Sequence, residues 1–289
     1  MFTSAFHILC YRDKYFVRRF QAHFESALCS RRLFWIINFP HNLHDLEGDN
    51  RLLAQMSGGD WTDSLLWHEA IKEELDALHK NQTWQLVKRE PNQNVIDSKW
   101  VLKVKTEAGN KKRYKARLVA RGFKQRGGVD YFETYSPGIR RSSLRLLLAM
   151  AAENKLKIDQ MDVKTAFLNG YMEETVYMKQ PEGFEEKGKE DYVCLLKRSL
   201  YGLKQAPRAW NQRLDSALKQ LKFTQLDNEP CVYMRRSQHR LIILAVYVDD
   251  LLIFWNNKAE MQQVKKELRE TFEMRDLGKA DLFLGMRLQ

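Results

Sequence analysis

The sequence predicts a mixed α+β protein, with antiparallel strand pairs and amphipathic helices interspersed along the chain. Three patterns support this fold class. Apolar residues recur at helical spacing in several segments, they alternate with charged residues in others, and two apolar runs flank a short acidic turn. The regular strand–helix–strand order of a doubly wound parallel sheet is missing, so we expect antiparallel pairing.

The chain is basic and long enough to bury a substantial core. Its 289 residues include 48 Lys and Arg against 37 Asp and Glu, giving a net charge of +11, and 44% of the residues are hydrophobic. This balance is typical of a globular protein with a polyanionic partner, although an ordinary solvated basic surface also fits it. No apolar run approaches the roughly 18 residues of a membrane span, so we expect no membrane insertion.

Disulfide and zinc scaffolds are not indicated. The four cysteines are scattered, which predicts free thiols. His41 and His44 lie beside Asp45, but no cysteine pair or His-Glu-x-x-His motif accompanies them, so a zinc site is not favoured. The arginine-rich segment 1–36 faintly resembles an organelle presequence, which leaves a mitochondrial basic protein as an alternative.

The first predicted helix follows an unassigned segment. Residues 1–60 show no clean period and end in a polar, glycine-rich break, where we place a domain boundary. Thr62 or Asp63 can cap a helix that ends near Asn81. Its apolar stripe predicts a face packed in the core: Trp67, Ile71, Leu75 and Leu78.

Two alternating runs predict a β-hairpin with a cationic face. They cover residues 99–105 and 114–121 and are joined by a turn that contains Gly109 and Asn110. Up to six cations share one face of the hairpin, and Arg121 is among them. This face either binds phosphate or is an ordinary solvated sheet face that discourages edge pairing.

Six further elements are predicted in the rest of the chain. Apolar spacing indicates the helices, and short apolar runs indicate the strands. They are a helix over Ser142–Asn154, a strand over Leu156–Met161 that delivers Asp162 at its end, a helix from Pro207 with an apolar stripe to Leu221, strands over Leu241–Tyr247 and Leu251–Trp255, and a helix over Lys258–Met274.

Three aspartates form the candidate chemical site. Asp249 and Asp250 lie between two apolar runs, where buried carboxylates are costly unless something compensates their charge. They can cap an exposed turn, pair with buried cationic side chains, or hold divalent cations such as Mg²⁺. Asp162 ends another apolar strand, and three carboxylates are the set needed to bridge two metal ions, so the metal site is favoured.

Six motifs follow one another from the first hairpin to the end of the chain. They read KWVLKVK at 99–105, YKARLVARGFK at 114–124, QMDVKTAFLNG at 160–170, LYGLKQAPRAW at 200–210, YVDD at 247–250 and FLG at 283–285. In this order they resemble the reverse transcriptase domain of Ty1/copia-type retrotransposon Pol polyproteins. The resemblance spans about residues 67–288, and residues 1–60 take no part in it.

The resemblance implies a right-hand polymerase fold with fingers and palm in a domain over residues 61–289. The fingers hairpin would cover about 99–124, and the palm, with its antiparallel sheet, about 156–289. We expect the thumb and ribonuclease H domains, which lie downstream in such polyproteins, to be absent from this sequence. A chain without a thumb is expected to hold primer and template weakly.

The resemblance also implies RNA-directed DNA polymerase activity with two Mg²⁺ ions, for which Mn²⁺ is an alternative. Asp162 and Asp249 would each ligate both ions, the carbonyl of Val163 would assist on the nucleotide side, and Asp250 would complete the cluster. One ion would lower the pKa of the primer 3′-hydroxyl, and the other would bind the triphosphate and the leaving pyrophosphate.

The remaining site residues are also assigned by resemblance. Phe167 would be either an aromatic gate that selects dNTPs over rNTPs or an ordinary core residue. The triphosphate would contact cations among Lys103, Lys105, Lys115 and Arg117, and the nucleotide and template base would contact Tyr201, Gly202, Lys204 and Gln205. The primer end would be gripped at Phe283, Leu284 and Gly285.

These assignments predict RNA or DNA template with primer, and dNTPs, as partners. A transposon product of this kind is expected in cytoplasmic particles or in the nucleus. An inactive remnant that binds nucleic acid without polymerising it is the alternative function.

Overall fold

The computed structural model describes residues 64–106, 110, 112–237 and 240–288. Within these ranges the chain forms helices that pack on a six-stranded sheet, a four-stranded sheet and two hairpins. This mixed architecture confirms the predicted α+β class. The cluster of His41, His44 and Asp45, the presequence-like segment and the predicted boundary at residue 60 lie outside the described residues.

The secondary-structure elements have the following bounds. The helices are α1 (Ser64–Lys80), α2 (Arg141–Glu153), α3 (Ala206–Gln220) and α4 (Lys258–Thr271), with 3₁₀ turns at Gly122–Lys124 and Ala166–Asn169. The strands are β1 (Trp84–Lys88), β2 (Val95–Ile96), β3 (Ser98–Thr106), β4 (Lys112–Ala120), β5 (Lys157–Val163), β6 (Tyr177–Lys179), β7 (Tyr192–Leu196), β8 (Thr224–Leu226), β9 (Glu229–Ser237), β10 (Arg240–Tyr247), β11 (Asp250–Trp255), β12 (Met274–Lys279), β13 (Leu282–Phe283) and β14 (Met286–Arg287).

The six-stranded sheet lies between two helical layers. Its strand order is β12-β5-β11-β10-β9-β8, and every neighbouring pair is antiparallel. Helices α3 and α4 pack on one face, where Leu214 and Leu268 join strand residues such as Ile253 in one core. Helix α2 packs on the other face through Leu144 and Leu147. Both faces are therefore apolar, as the unbroken apolar runs of β10 and β11 require.

Helix α1 and the predicted hairpin form a second core with the four-stranded sheet, whose order is β1-β7-β6-β2. The stripe predicted for α1 faces this core: Trp67, Ile71 and Leu78 are buried, and Leu75 is partly buried. Trp67 meets the ring of Tyr114 on β4 edge to face, with centroids 4.7 Å apart. The hairpin therefore rests its apolar face on α1 and turns its cationic face away.

Three predicted boundaries are wrong. Strand β5 continues through Asp162 to Val163, because both residues pair with β12. Helix α4 ends at Thr271, since extended Phe272 packs its ring 5.2 Å from that of Trp210 and a strand follows. Arg121 lies beyond the end of β4, and its N–H donates to the carbonyl of Asp97, so the cationic face does not continue to it.

Candidate active site

The three aspartates meet at one end of the six-stranded sheet. Asp162 on β5 lies directly opposite Asp250 on β11, so both side chains share a face of the sheet. Asp249 precedes Asp250 in the turn between β10 and β11, and its carbonyl accepts a hydrogen bond from the Val163 N–H at 2.8 Å. Strand pairing thus unites carboxylates that are far apart in the chain.

The turn that carries Asp249 is held in a strained conformation. Val248 has φ 57°, a left-handed value that is unfavourable for a β-branched residue. Its carbonyl accepts a hydrogen bond from the indole Nε1 of Trp210 on α3, at 2.7 Å. Trp210 is 2% exposed, so the anchor of the turn is itself fixed in the core.

Burial and like charge both act on the aspartates. Burial raises the pKa of Asp162, and the nearby charge of Asp249 raises it further, while Arg275, Lys115 and Lys105 oppose the shift. Burial also raises the pKa of Asp250, against a hydrogen bond of 3.1 Å from the Gln160 amide. The ionised carboxylates of Asp162 and Asp250 therefore lie close to like charge and are partly removed from water.

The donor set of the three aspartates fits a hard divalent cation, because carboxylate oxygens are the ligands that Mg²⁺ prefers. Among the residues that the structure describes, no three His, Cys, Asp or Glu side chains stand close enough to form a ready metal-binding group. A cation at Asp162, Asp249 and Asp250 would offset the like-charge repulsion that adds to burial in raising the pKa values of Asp162 and Asp250.

The hairpin directs cations toward these carboxylates. Lys103 lies opposite Lys115, and Lys105 opposite Arg113, so these four side chains share one face of the hairpin. Arg113 also lies 3.9 Å from the carboxylate of Glu73 on α1. Lys105 and Lys115 lower the pKa of Asp162, which places both within electrostatic range of it. Burial lowers the pKa of Lys115, and the neighbouring cations, Arg117 first, lower it further. An anion bound between the hairpin and the six-stranded sheet would therefore meet positive charge on the hairpin side.

Phe167 and Tyr201 form an aromatic pair next to the cationic hairpin. Their ring centroids are 5.0 Å apart with the rings tilted edge to face. The Arg117 guanidinium lies 4.8 Å from the Tyr201 ring centroid, a distance typical of a cation–π contact. Burial raises the pKa of Tyr201, and the charge of Asp249 contributes to the shift. The pair thus links the cationic hairpin to the acidic turn.

The segment after Tyr201 makes its contacts within the protein. Gly202, at φ 90°, lies so close to the Ala120 carbonyl oxygen that a Cβ would be 2.1 Å from it. The Lys204 ammonium donates to the Tyr131 hydroxyl at 3.0 Å. Gln205 is 2% exposed, and its amide donates to the Asp130 carbonyl at 2.8 Å. Their contacts with a nucleotide stay predictions, and packing alone accounts for Gly202 and Gln205.

The predicted primer-end turn lies on the α2 side of the sheet. Phe283 is 1% exposed and packs in the α2 core. Leu284 and Gly285 form the turn between β13 and β14, with φ values of 48° and 78°. In the part of the chain that the structure describes, no hydrogen bond or ion pair joins this turn to the three aspartates, so its contact with a primer stays a prediction.

Two supporting residues of the site could be found only with the fold. Gln160 lies within one of the six motifs, but its bond to Asp250 depends on the β5–β11 register. Trp210 is predicted only as a core residue because apolar spacing does not reveal where its N–H points. A buried tryptophan N–H usually has a hydrogen-bond acceptor, and this is the one signal available in the sequence. The signal is weak, because the buried Nε1 atoms of Trp67 and Trp100 have no partner among the described residues.

Comparison with known proteins decides the family. Residues 81–289 match the family model described as reverse transcriptase (RNA-dependent DNA polymerase). The chain belongs to the reverse transcriptase family. Its relatives are of the Ty1/copia type, as the motifs predicted. The three aspartates lie within the matched region.

The relatives are large polyproteins. This reverse transcriptase sequence is 46% identical over 222 residues to the retrovirus-related Pol polyprotein from transposon TNT 1-94 of Nicotiana tabacum, covering 76% of this chain and 17% of the relative. It is 38% identical over 222 residues to that from transposon RE1 of Arabidopsis thaliana, covering 76% and 15%. It is 29% identical over 224 residues to the transposon Ty1-ER2 Gag-Pol polyprotein of Saccharomyces cerevisiae, covering 74% and 12%. The chain therefore spans less than a fifth of the length of these relatives.

Among the helices within residues 64–106, 110, 112–237 and 240–288, none has both the length and the apolar composition needed to span a membrane.

Proposed function

We propose that this chain is an RNA-directed DNA polymerase that adds dNTPs to a primer 3′-hydroxyl by two-metal nucleotidyl transfer. The observation that carries the proposal is the position of Asp162. It lies opposite Asp250, next to Asp249, and within electrostatic range of Lys105 and Lys115. This arrangement suits a reaction in which a polyanionic triphosphate meets an acidic metal site.

The carboxylates have the role of holding cations. Asp162 and Asp249 would hold both Mg²⁺ ions or, alternatively, Mn²⁺, with Asp250 and the carbonyl of Val163 completing the set. The ions would activate the primer hydroxyl and neutralise charge on the leaving pyrophosphate. The Gln160 amide fixes Asp250, and the Trp210 indole fixes the turn, so the donors are oriented by packed side chains.

The hairpin has the role of binding the triphosphate. Lys105 and Lys115 are the favoured phosphate ligands because their charges lower the pKa of Asp162, against the effect of burial. Lys103 shares their face, and Arg117 lies against Tyr201. Cations that position a triphosphate lower the barrier by neutralising charge and by aligning the reacting groups.

The aromatic pair has the role of selecting the sugar. Phe167 is only partly buried and packs against both neighbouring cores, with the Tyr201 ring at its side. A ring fixed in this way would clash with a ribose 2′-hydroxyl and would leave space for deoxyribose. Within the proposal, β3 and β4 belong to the fingers and the six-stranded sheet to the palm. The location of thumb and ribonuclease H domains, the boundary at residue 60 and the cellular site remain predictions.

Template-directed single-nucleotide addition tests the proposed function. The chain is incubated with Mg²⁺, an RNA template, a labelled DNA primer and one dNTP at a time. We expect addition only of the dNTP that pairs with the next template base, and none when template is omitted. Failure to add any nucleotide with either Mg²⁺ or Mn²⁺ would contradict the proposal and would favour an inactive nucleic-acid-binding remnant.

A further inference from the structure

The outer edge of β4 is closed by two different groups. β4 pairs with β3 alone, so its other edge has no neighbouring strand within the described chain. The Leu118 N–H on that edge donates to the Oε1 of Glu74 on α1, at 3.2 Å. Two positions further, the Ala120 N–H donates to the Tyr201 carbonyl at 2.7 Å. Glu74 and Tyr201 therefore take the places that a neighbouring strand would fill.

Glu74 is built into the protein. It is 7% exposed, although it lies on a helix whose neighbouring Glu73 has a side chain that is 75% exposed. Buried carboxylates are rare unless hydrogen-bonded or paired. Burial raises the pKa of Glu74, while the Leu118 N–H and the charges of Arg117 and Lys115 oppose the shift. The strand and the cations next to it thus offset part of the cost of burying this carboxylate.

The hydrogen bond between the Ala120 N–H and the Tyr201 carbonyl lies where the backbone of β4 is too closely packed to shift. A Cβ at Gly202 would lie 2.1 Å from the Ala120 carbonyl oxygen, and a Cβ at Gly122 would lie 2.0 Å from the Gly202 carbonyl oxygen. Backbone packs directly on backbone there. Glu74 is then the second point at which β4 is fixed, and its partner Leu118 directly follows Arg117 in the strand.

We propose that Glu74 is a positioning residue for triphosphate binding, which fixes β4 through the Leu118 N–H and thereby holds Lys115 and Arg117 in place on the cationic face of the hairpin. This inference rests on the proposed function. It concerns a residue outside the matched region 81–289, on the helix that supports the hairpin. Glu74 touches no reacting atom in this role and acts through the strand.

Size-matched variants of Glu74 test the inference. Glu74→Met retains the bulk of the side chain but removes the carboxylate acceptor, whereas Glu74→Gln retains an acceptor oxygen and removes the charge. Glu69→Met, at an exposed position of the same helix, is the control. We expect Glu74→Met to raise KM for dNTP about tenfold, the effect of one lost buried hydrogen bond, with kcat nearly unchanged. Glu74→Gln and Glu69→Met should stay within about twofold of the wild type.

Two further measurements do not depend on catalysis. Hydrogen–deuterium exchange of the 112–120 segment should be faster in Glu74→Met than in Glu74→Gln. Calorimetric binding of tripolyphosphate should be weakened by Glu74→Met and retained by the other two variants. If Glu74→Met does not fold, Glu74→Asp replaces it, because the shortened side chain moves the carboxylate away from Leu118 and should show the same changes to a smaller degree.

The outcomes separate this inference from the proposed function. A wild type that adds nucleotides, with a KM that Glu74→Met does not change, would overturn the role of Glu74 and leave the polymerase intact. A fall in kcat alone would overturn it as well, since that indicates loss of folded enzyme. A wild type that adds no nucleotide but binds tripolyphosphate in a Glu74-dependent way would support the inference and contradict the polymerase. Absence of tripolyphosphate binding by the wild type would overturn the inference.

Discussion

Replacing Asp162 by asparagine should lower the rate of nucleotide addition by about a hundredfold to a thousandfold, the range seen when a central electrostatic group is removed. Asn keeps the size of the side chain but cannot supply the anionic oxygens that hold a divalent cation. The strand pairing of β5 with β11 and β12 involves backbone groups, so the fold should survive. Single-turnover addition of one dNTP measures the effect.

The same substitution should raise the melting temperature at neutral pH. Burial and the charge of Asp249 raise the pKa of Asp162 in the folded protein. A carboxyl with a raised folded pKa contributes stability that is fully present below its unfolded pKa and is lost as pH rises through the folded value. Asn cannot ionise, so Asp162→Asn should gain stability over the wild type above that range and gain none in acid.

Asp159, three residues earlier on β5, provides the matched contrast. Its carboxylate accepts hydrogen bonds from the Trp255 indole at 2.8 Å and from the buried Lys265 ammonium at 2.5 Å. Asp159→Asn should therefore lower the melting temperature, because a buried cation loses a partner. Thermal unfolding of both variants across a pH series measures the effects. Equal shifts of the same sign would contradict the electrostatic account of Asp162.

Replacing Gly202 by alanine should cost more than about 3 kcal/mol of unfolding free energy, because steric overlap adds to backbone strain. Gly202 has φ 90°, and a Cβ would lie 2.1 Å from the Ala120 carbonyl oxygen and 2.7 Å from a Val119 methyl carbon. The contact with the Ala120 carbonyl involves backbone and cannot relax without moving β4 away from Tyr201. We therefore expect loss of activity together with loss of stability, measured by chemical denaturation and by nucleotide addition.

Gly188 is the control for backbone strain alone. It has φ 78°, but nothing lies within 4 Å of the position that a Cβ would take. Gly188→Ala should cost about 1–2 kcal/mol, the typical penalty of a left-handed alanine. If the two variants lost equal stability, close packing between β4 and the Tyr201–Gly202 turn would not explain the requirement for glycine at 202.

Much of the local structure could be predicted because periodicity reports which side chains are buried. The α1 stripe, the α4 stripe and the hairpin at β3 and β4 follow from this signal. The apolar runs around the acidic turn also correspond to β10 and β11. Each of these elements has enough residues to repeat its pattern, and each buries a face that the pattern defines.

The four-stranded sheet could not be predicted, because its shortest strands contain too few residues to show a pattern. Strands β2 and β6 have two and three residues, too few for an alternating pattern, and their parallel pairing joins segments distant in the chain. The predicted end of β5 is wrong because Asp162 and Val163 are held by pairing with β12, which the local sequence does not report. Boundaries set by a neighbouring strand are not encoded in local spacing.

The residues of the candidate site also divide into those that the sequence reveals and those that it does not. Asp162, Asp249 and Asp250 could be selected because a carboxylate among apolar residues is costly to bury unless its charge is compensated. The motifs shared with the family also contain all three residues. The residues that support them could not be selected. The Gln160 amide, the Trp210 indole and the Glu74 carboxylate act through tertiary contacts, and each belongs to a residue type with common structural uses.

The central claim is that the carboxylates at the end of the six-stranded sheet carry the chemistry of a polymerase. Its most direct test is single-nucleotide extension of a primer on an RNA template, with Mg²⁺ and then Mn²⁺, comparing the wild type with the Asp249→Asn, Asp250→Asn double variant. We predict extension by the wild type and none by the double variant at equal folded concentration, judged by circular dichroism. Extension at the same rate by both proteins would contradict the account.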